Sequence, residues 1–227
     1  MRSPALSDFS AVHDDGTIGV RGVDLTVSAG ELVLLLGQVG SGKSSLLAAP
    51  AGLVSTTGEV RWNDRVVEDA QAELRPALVS HVAQCRACCR APSAATSGST
   101  TRAARSCRPP ETARMGRDVA EAGGPDSLVG HRGVRLSGGQ VQRLALARAV
   151  ACDADLLLAD DVSSALDATT ELELWSALRA GGRTVIGATS KAAALAQADR
   201  VVVLDGGRVV DAGPWSVLSR KWAHLSG

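Results

Sequence analysis

The chain has 227 residues, 45% of them apolar, enough for one large α/β domain or two small ones, and this argues against disorder throughout. Lys and Arg together number 24, as do Asp and Glu, and the resulting zero net charge argues against a protein built to grip a nucleic-acid backbone. Aromatic residues make up only 2% and tyrosine is absent, which argues against base-stacking platforms.

No apolar run reaches the roughly 18–20 residues that span a bilayer. The first ten residues include Arg2, Pro4 and Asp8 and lack an apolar signal core. The expectation is a cytoplasmic chain whose membrane association comes through a partner. Of the five cysteines, four lie between Cys85 and Cys107, and Cys152 stands alone. An odd number without a secretion signal argues against a disulfide framework.

In chain order, residues 17–27 and 59–67 carry Val, Ile, Thr and Trp at spacings that predict antiparallel strands. Between them, 31–36 is a short apolar run entering a Gly-rich stretch, and 44–49 is helical. Pro50 follows; inside a helix a proline costs about 3 kcal/mol, so either the helix ends early or the protein gives up stability. Residues 78–82 form another strand. Residues 141–150 read as helix, with Leu144, Ala147 and Val150 on one face and Gln142, Arg143 and Arg148 outside. The apolar run 155–160, flanked by acids, predicts a strand of a parallel sheet covered on both faces. A helix at 170–179, a strand at 184–188, a helix at 192–198, a strand at 201–204 and a hairpin turn at 205–207 into 208–211 complete the pattern. Alternating strand and helix implies a mostly parallel sheet with helices on both sides.

Residues 85–110 have neither period and are crowded with Ala, Arg, Ser, Thr, Pro and Cys. A loop of that length is uncommon inside a compact domain.

Gly37, Gln38, Val39, Gly40, Ser41, Gly42, Lys43 and Ser44 fit G-x-x-x-x-G-K-[ST] between a strand and a helix, with Ser45 next in line. The glycines let backbone N–H groups close around phosphate oxygens, and the helix N-terminus favours the anion. Lys43 is expected to reach the β- and γ-phosphates of ATP, and Ser44 to coordinate Mg²⁺. Asp160, at the end of an apolar strand, is expected to hold Mg²⁺ through water, where ligands gather in open parallel sheets. These features describe a P-loop nucleotide-binding α/β core with an N-terminal antiparallel β region.

Leu136, Ser137, Gly138, Gly139 and Gln140, followed by a helix, offer hydroxyl and backbone donors to a phosphate. With this motif the chain resembles the nucleotide-binding domains of ABC transporters, whose signature is LSGGQ. The order of the other motifs is similar too. Gln84 resembles the Q-loop residue, a further Mg²⁺ ligand, and Ser164, Ala165, Leu166 and Asp167 resemble the D-loop. The loop around His131 resembles that of exporter-type members, which usually have Glu there; a solvated histidine and a coupling role both remain open. His13 stands where the family often has an aromatic that stacks on adenine, although simple surface residence fits as well. The resemblance implies head-to-tail pairing with a second nucleotide-binding domain, each signature loop capping the partner's ATP. It also implies a transmembrane subunit or domain that places the chain on the inner face of the plasma membrane.

Two departures from the family fall on one chemistry. Asp161 replaces the Glu that polarises the attacking water, and Ser190 replaces the switch histidine. Aspartate is one methylene shorter, and a misplacement of about 1 Å can cost about a hundredfold in rate. Serine can neither fill an imidazole's reach nor become cationic. Together they suggest a site that binds ATP and hydrolyses it slowly, as in exporters with unequal subunits, where the intact signature loop serves a non-identical partner.

The third departure is residues 85–110, where the resemblance implies an inserted helical subdomain that contacts the membrane partner. A metal site from Cys85, Cys88, Cys89, Cys107 and His81 has suitable ligand types but lacks a second C-x-x-C pair. The favoured reading is a shifted frame: one base restored after the Gln84 codon yields a strand-like peptide resembling the exporter continuation. Three functions therefore stay open: the ATP-binding half of an unequal exporter, a soluble ABC-type ATPase acting on ribosomes or DNA, and a nucleotide-binding remnant unable to dock on its membrane partner.

Overall fold

A computed structural model describes residues 3–74, 78–82, 154–163, 166 and 168–227. Two sheets organise them. The first is antiparallel, in the order β2-β1-β4-β5, from β1 (Pro4–Val12), β2 (Ile18–Thr26), β4 (Ser55–Trp62) and β5 (Arg65–Val66). The second has the order β10-β9-β3-β8-β7-β6, from β3 (Leu32–Leu36), β6 (Val79–Val82), β7 (Leu156–Ala159), β8 (Thr184–Ala188), β9 (Arg200–Asp205) and β10 (Arg208–Gly213). All of its pairings are parallel except β9 with β10. The expected α/β class, with a mostly parallel sheet and an N-terminal antiparallel β region, is what the chain forms. The expected helical insertion lies outside the described residues.

The parallel strands β3 and β7 are apolar throughout, and β8 and β9 carry polar residues only at their ends, because both of their faces are covered. Val33 and Leu35 of β3, Leu156 and Leu158 of β7, and Val202 and Leu204 of β9 point to one core. That core also holds Phe9, Val23, Val60 and Trp62 of the antiparallel sheet and Leu46 and Leu47 of α1 (Lys43–Ala48). The alternate residues Leu32, Leu34, Leu36, Leu157, Val201 and Val203 face a second core. Helices α3 (Ala168–Ala180), α4 (Ala192–Leu195) and α5 (Trp215–Trp222) close it with Trp175, Leu195, Trp215 and Leu218. Burying Trp175 completely, together with a dozen aliphatic side chains at about 1.5–3 kcal/mol each, is the main favourable term on this side.

The structure corrects the sequence reading in several places. Residues 59–67 are not one strand: β4 ends at Trp62, Asn63 and Asp64 turn with φ of 52° and 66°, and β5 returns. Such a two-residue turn with both φ positive matches the twist of a hairpin, and Asn and Asp tolerate it. Strand β1, helix α2 (Ala70–Leu74) and helix α5 were not anticipated. Helix α1 stops at Ala48, so the buried Pro50 sits beyond it and removes no helical bond.

Candidate functional site

In the parallel sheet, the C-terminal ends of β3, β7 and β8 share one edge, the edge where open α/β sheets bind ligands. Each strand delivers one piece of the predicted site there. After β3 come residues 37–45, after β7 Asp160 and Asp161, and after β8 Thr189 and Ser190.

The loop after β3 is held from several sides. Gly42 has φ of 100°, and a Cβ there would lie 2.4 Å from the Gly19 carbonyl oxygen, so only glycine fits. The Gly207 N–H donates to the Ser41 carbonyl at 3.2 Å, and the Gly207 carbonyl accepts from the Arg21 N–H at 2.8 Å. The β9–β10 turn therefore anchors the loop to β2. Gln38, Val39 and Gly40 remain exposed, whereas Ser41 is buried.

Lys43 folds back on this loop: its Nζ donates to the carbonyl of Gly37 at 2.7 Å, to that of Gln38 at 2.9 Å, and to Ser41 Oγ at 3.4 Å. Burial pushes the Lys43 ammonium below its usual range, and the negative charges of Asp160 and Asp161 work against that shift. The Ser44 hydroxyl donates to Asp160 Oδ1 at 3.0 Å. Burial is also the main influence on Asp160, pushing its carboxyl up; the Ser44 bond lowers it, Asp161 raises it and Lys43 lowers it. A hydroxyl and a buried carboxylate oxygen side by side are the hard donors that Mg²⁺ selects, and a cation there would relieve the burial cost. The residues present thus fit Mg²⁺ at Ser44 and Asp160. The third expected ligand, Gln84, lies outside the described residues.

Asp161 has φ of 49°, the left-handed region, where a residue other than glycine is held by its surroundings. Its charge is felt by both Asp160 and Lys43, which places it at the same cluster. Ser190 is exposed, and its carbonyl accepts from the Gly227 N–H at 2.8 Å. The cation next to it does not stand in for a histidine. Lys191 Nζ is committed to Glu171 Oε2 at 2.9 Å and to the Leu166 carbonyl at 2.7 Å.

His13 is half-buried, and its Nε2 lies 2.8 Å from Ser45 Oγ. Gly19 makes room for that pair, since a Cβ there would meet Ser45 Oγ at 2.1 Å and His13 Nε2 at 3.1 Å. The ring edge is thus tied to the first turn of α1.

Three contributors escaped the sequence reading. Gly207 lies in a turn that was recognised, but its bond to Ser41 depends on the packing of two sheets. Glu171 and Lys191 belong to none of the sequence motifs, although a glutamate on the inner face of a helix with Trp175 and Leu178 is a visible anomaly. The signature residues Leu136, Ser137, Gly138, Gly139 and Gln140, together with Ser164, Ala165, Asp167, His131 and the cysteine-rich 85–110, lie outside the described residues; Leu166 alone of the D-loop is described. Among the described residues, no three His, Cys, Asp or Glu side chains are grouped to hold a metal ion.

A family model described as ABC transporter matches residues 20–164, more than half of the chain. The chain belongs to the ABC transporter family. The matched stretch takes in the loop at 37–45 and both acids after β7. The ATP-dependent lipid A-core flippase of Psychrobacter arcticus is 31% identical over 231 residues, covering 97% of this chain and 38% of the flippase. That of Burkholderia pseudomallei is 36% identical over 228 residues, covering 93% of this chain and 37% of the relative. A solved structure of a bacterial Atm1-family ABC exporter with ATP bound superposes with a TM-score of 0.78 at 26% identity, over 99% of this chain and 41% of that one. The chain thus spans about two fifths of the length of these ABC proteins, and its likeness is to the ATP-binding domain of exporters. No helix among the described residues is long and apolar enough to cross a membrane.

Proposed function

We propose that this ABC domain binds ATP with Mg²⁺ between its own phosphate loop and the signature loop of a second, non-identical nucleotide-binding domain, and that this closure drives export through a membrane-embedded domain. The carrying observation is the cluster of Lys43, Ser44 and Asp160 at the ends of β3 and β7, with Asp161 acting on it and Ser190 following the intervening strand β8. Lys43 exchanges the carbonyls of Gly37 and Gln38 for phosphate oxygens, recovering as charge-assisted bonds what it gives up. Ser44 and Asp160 hold the metal, which bridges and neutralises phosphate charge. Asp161 sits one methylene short of the family's glutamate, and Ser190 offers no imidazole, so the chain's own site retains ATP and turns it over slowly. The exporter and flippase relatives support a place at the cytoplasmic face of a membrane, reached through the transmembrane partner.

Equilibrium binding of Mg-ATP and single-turnover hydrolysis by the purified chain test this reading together. Binding is expected in wild type and is weakened on the order of a hundredfold in Lys43→Met. Single turnover is expected to be far slower than dissociation. Rapid hydrolysis by the isolated chain, or binding indifferent to Lys43→Met, would sink the proposal.

A further inference from the structure

Glu171 is a carboxylate with 1% of its surface exposed, set in the first turn of α3. Its Oε1 accepts from three donors: Ser163 Oγ at 2.5 Å, Thr189 Oγ1 at 2.7 Å and Trp175 Nε1 at 3.2 Å. Its Oε2 faces Lys191 Nζ at 2.9 Å, and the same ammonium donates to the Leu166 carbonyl at 2.7 Å. Thr189 also accepts from the Lys191 N–H through its hydroxyl at 3.2 Å.

These bonds join two stretches that are far apart in sequence. Ser163 and Leu166 follow Asp160 and Asp161 out of β7, whereas Thr189 and Lys191 flank Ser190 beyond β8. Glu171 accepts from both stretches, and Lys191, its ion-pair partner, also joins them directly through the Leu166 carbonyl. A charge this deeply buried is tolerated only when its lone pairs are filled, and removing one partner leaves the rest uncompensated. Loss of one partner is therefore expected to weaken the remaining contacts of the network together.

We propose that Glu171 is a positioning residue which, with Lys191, locks the segment after Asp161 to the segment carrying Ser190, so that the two positions flanking the γ-phosphate site move as one unit. The proposal rests on the nucleotide-binding reading for its consequence, since a partner pressing on the Leu166 segment shifts Ser190 through Lys191. The lock itself exists in the free chain.

Hydrogen exchange of the full chain, followed by mass spectrometry, separates the two. In the nucleotide-free protein, Lys191→Met is expected to speed exchange at Val162, Ser163, Leu166 and Ala192 together by about tenfold, with β1 and β4 unchanged. Lys191→Arg restores protection, because its fork reaches both the carboxylate and the carbonyl. With Mg-ATP, protection of residues 43–46 persists in Lys191→Met. Faster exchange in only one of the two segments, no change in either, or loosening throughout the chain with a matching fall in thermal midpoint would overturn the lock. A wild-type chain whose residues 43–46 ignore Mg-ATP would instead overturn the nucleotide reading and leave the free-state comparison intact.

Discussion

The Ser44 hydroxyl donates to Asp160 across the gap between two strands that are not neighbours, β3 and β7, which β8 separates in the sheet. The bond ties the first turn of α1 to the end of β7. It also partners a carboxylate with 7% of its surface exposed that sits beside a second acid, Asp161. One neutral hydroxyl and the half-buried Lys43 offset that charge only in part, so the free site is built at a cost that a divalent cation removes.

Replacing Asp160 by Asn is therefore expected to stabilise the metal-free protein. The sign follows from the raised carboxyl. A group that binds its proton more tightly when folded opposes folding above its unfolded value, near 3.8, and the opposition fades as pH falls through the raised value. At pH 7 the variant should melt a few degrees higher than wild type without nucleotide, a gain of about 1 kcal/mol. Its melting temperature should no longer rise with Mg-ATP. Calorimetry with and without Mg-ATP reads both effects, and a variant that melts lower in both conditions contradicts this account of Asp160.

Asp161 and Ser190 lend themselves to repair. Asp161→Glu extends the carboxylate by one methylene from a left-handed backbone position that glutamate tolerates less well than aspartate, at a cost of order 1 kcal/mol. Ser190→His restores an imidazole at an exposed position with room for it. The double variant is expected to speed single-turnover ATP hydrolysis by on the order of a hundredfold while leaving the Kd for Mg-ATP within a few-fold. Equal and slow turnover in all four combinations would mean that the two substitutions do not limit the site.

The sequence made contiguous chemistry plain and left spatial chemistry hidden. β3 and β7 are apolar at every position, and β8 and β9 depart only at their ends (Thr184, Arg200 and Asp205), because both faces are covered, and the phosphate loop is one unbroken motif. Strand β1 escaped because its core residues Leu6, Phe9 and Ala11 break the period of two. Asp8, at φ of 45°, bulges the strand, and its pairing with β2 shifts between Leu6 and Phe9. Helix α5 did carry its signal, since Trp215, Leu218, Trp222 and Leu225 recur at three and four residues and pack on the second core. The Glu171 network and the bond from Gly207 to Ser41 join residues distant in sequence, so no local pattern could announce them.

Glu171 sets an acid limit. Burial alone would raise its carboxyl, but hydrogen bonds from Ser163, Lys191, Thr189 and Trp175 together outweigh it, leaving the group below its usual value of 4.5. A depressed carboxylate stabilises the fold fully above its unfolded value, and this contribution is lost as pH falls through the lower folded value. Glu171→Gln should therefore cost about 2–3 kcal/mol near pH 7, by leaving Lys191 without its counter-charge. The gap between variant and wild type should narrow below about 4.5. Urea unfolding at several pH values measures this gap, and a constant difference would assign Glu171 a packing role instead.

His13 separates the cost of a hydrogen bond from the gain of a stacking surface. The chain's only Phe, Phe9, is buried, as are Trp62, Trp175 and Trp215, and Trp222 Nε1 donates to Asp211 at 2.9 Å. No Phe or Trp ring is therefore free to meet a base beside α1 among the described residues. With Nε2 tied to Ser45 Oγ, the imidazole offers a nucleobase a small face and keeps the Ser45 hydroxyl engaged. His13→Phe removes the partner of a buried hydroxyl, a loss of about 1 kcal/mol. It supplies a larger apolar face in return, and aromatic stacking is worth about 1–3 kcal/mol per base. The variant is expected to melt lower without nucleotide yet bind Mg-ATP several-fold more tightly, as read by calorimetric titration. His13→Ala should lose on both counts. If the two variants bind equally, the ring at residue 13 does not meet the base, and its role is to hold Ser45.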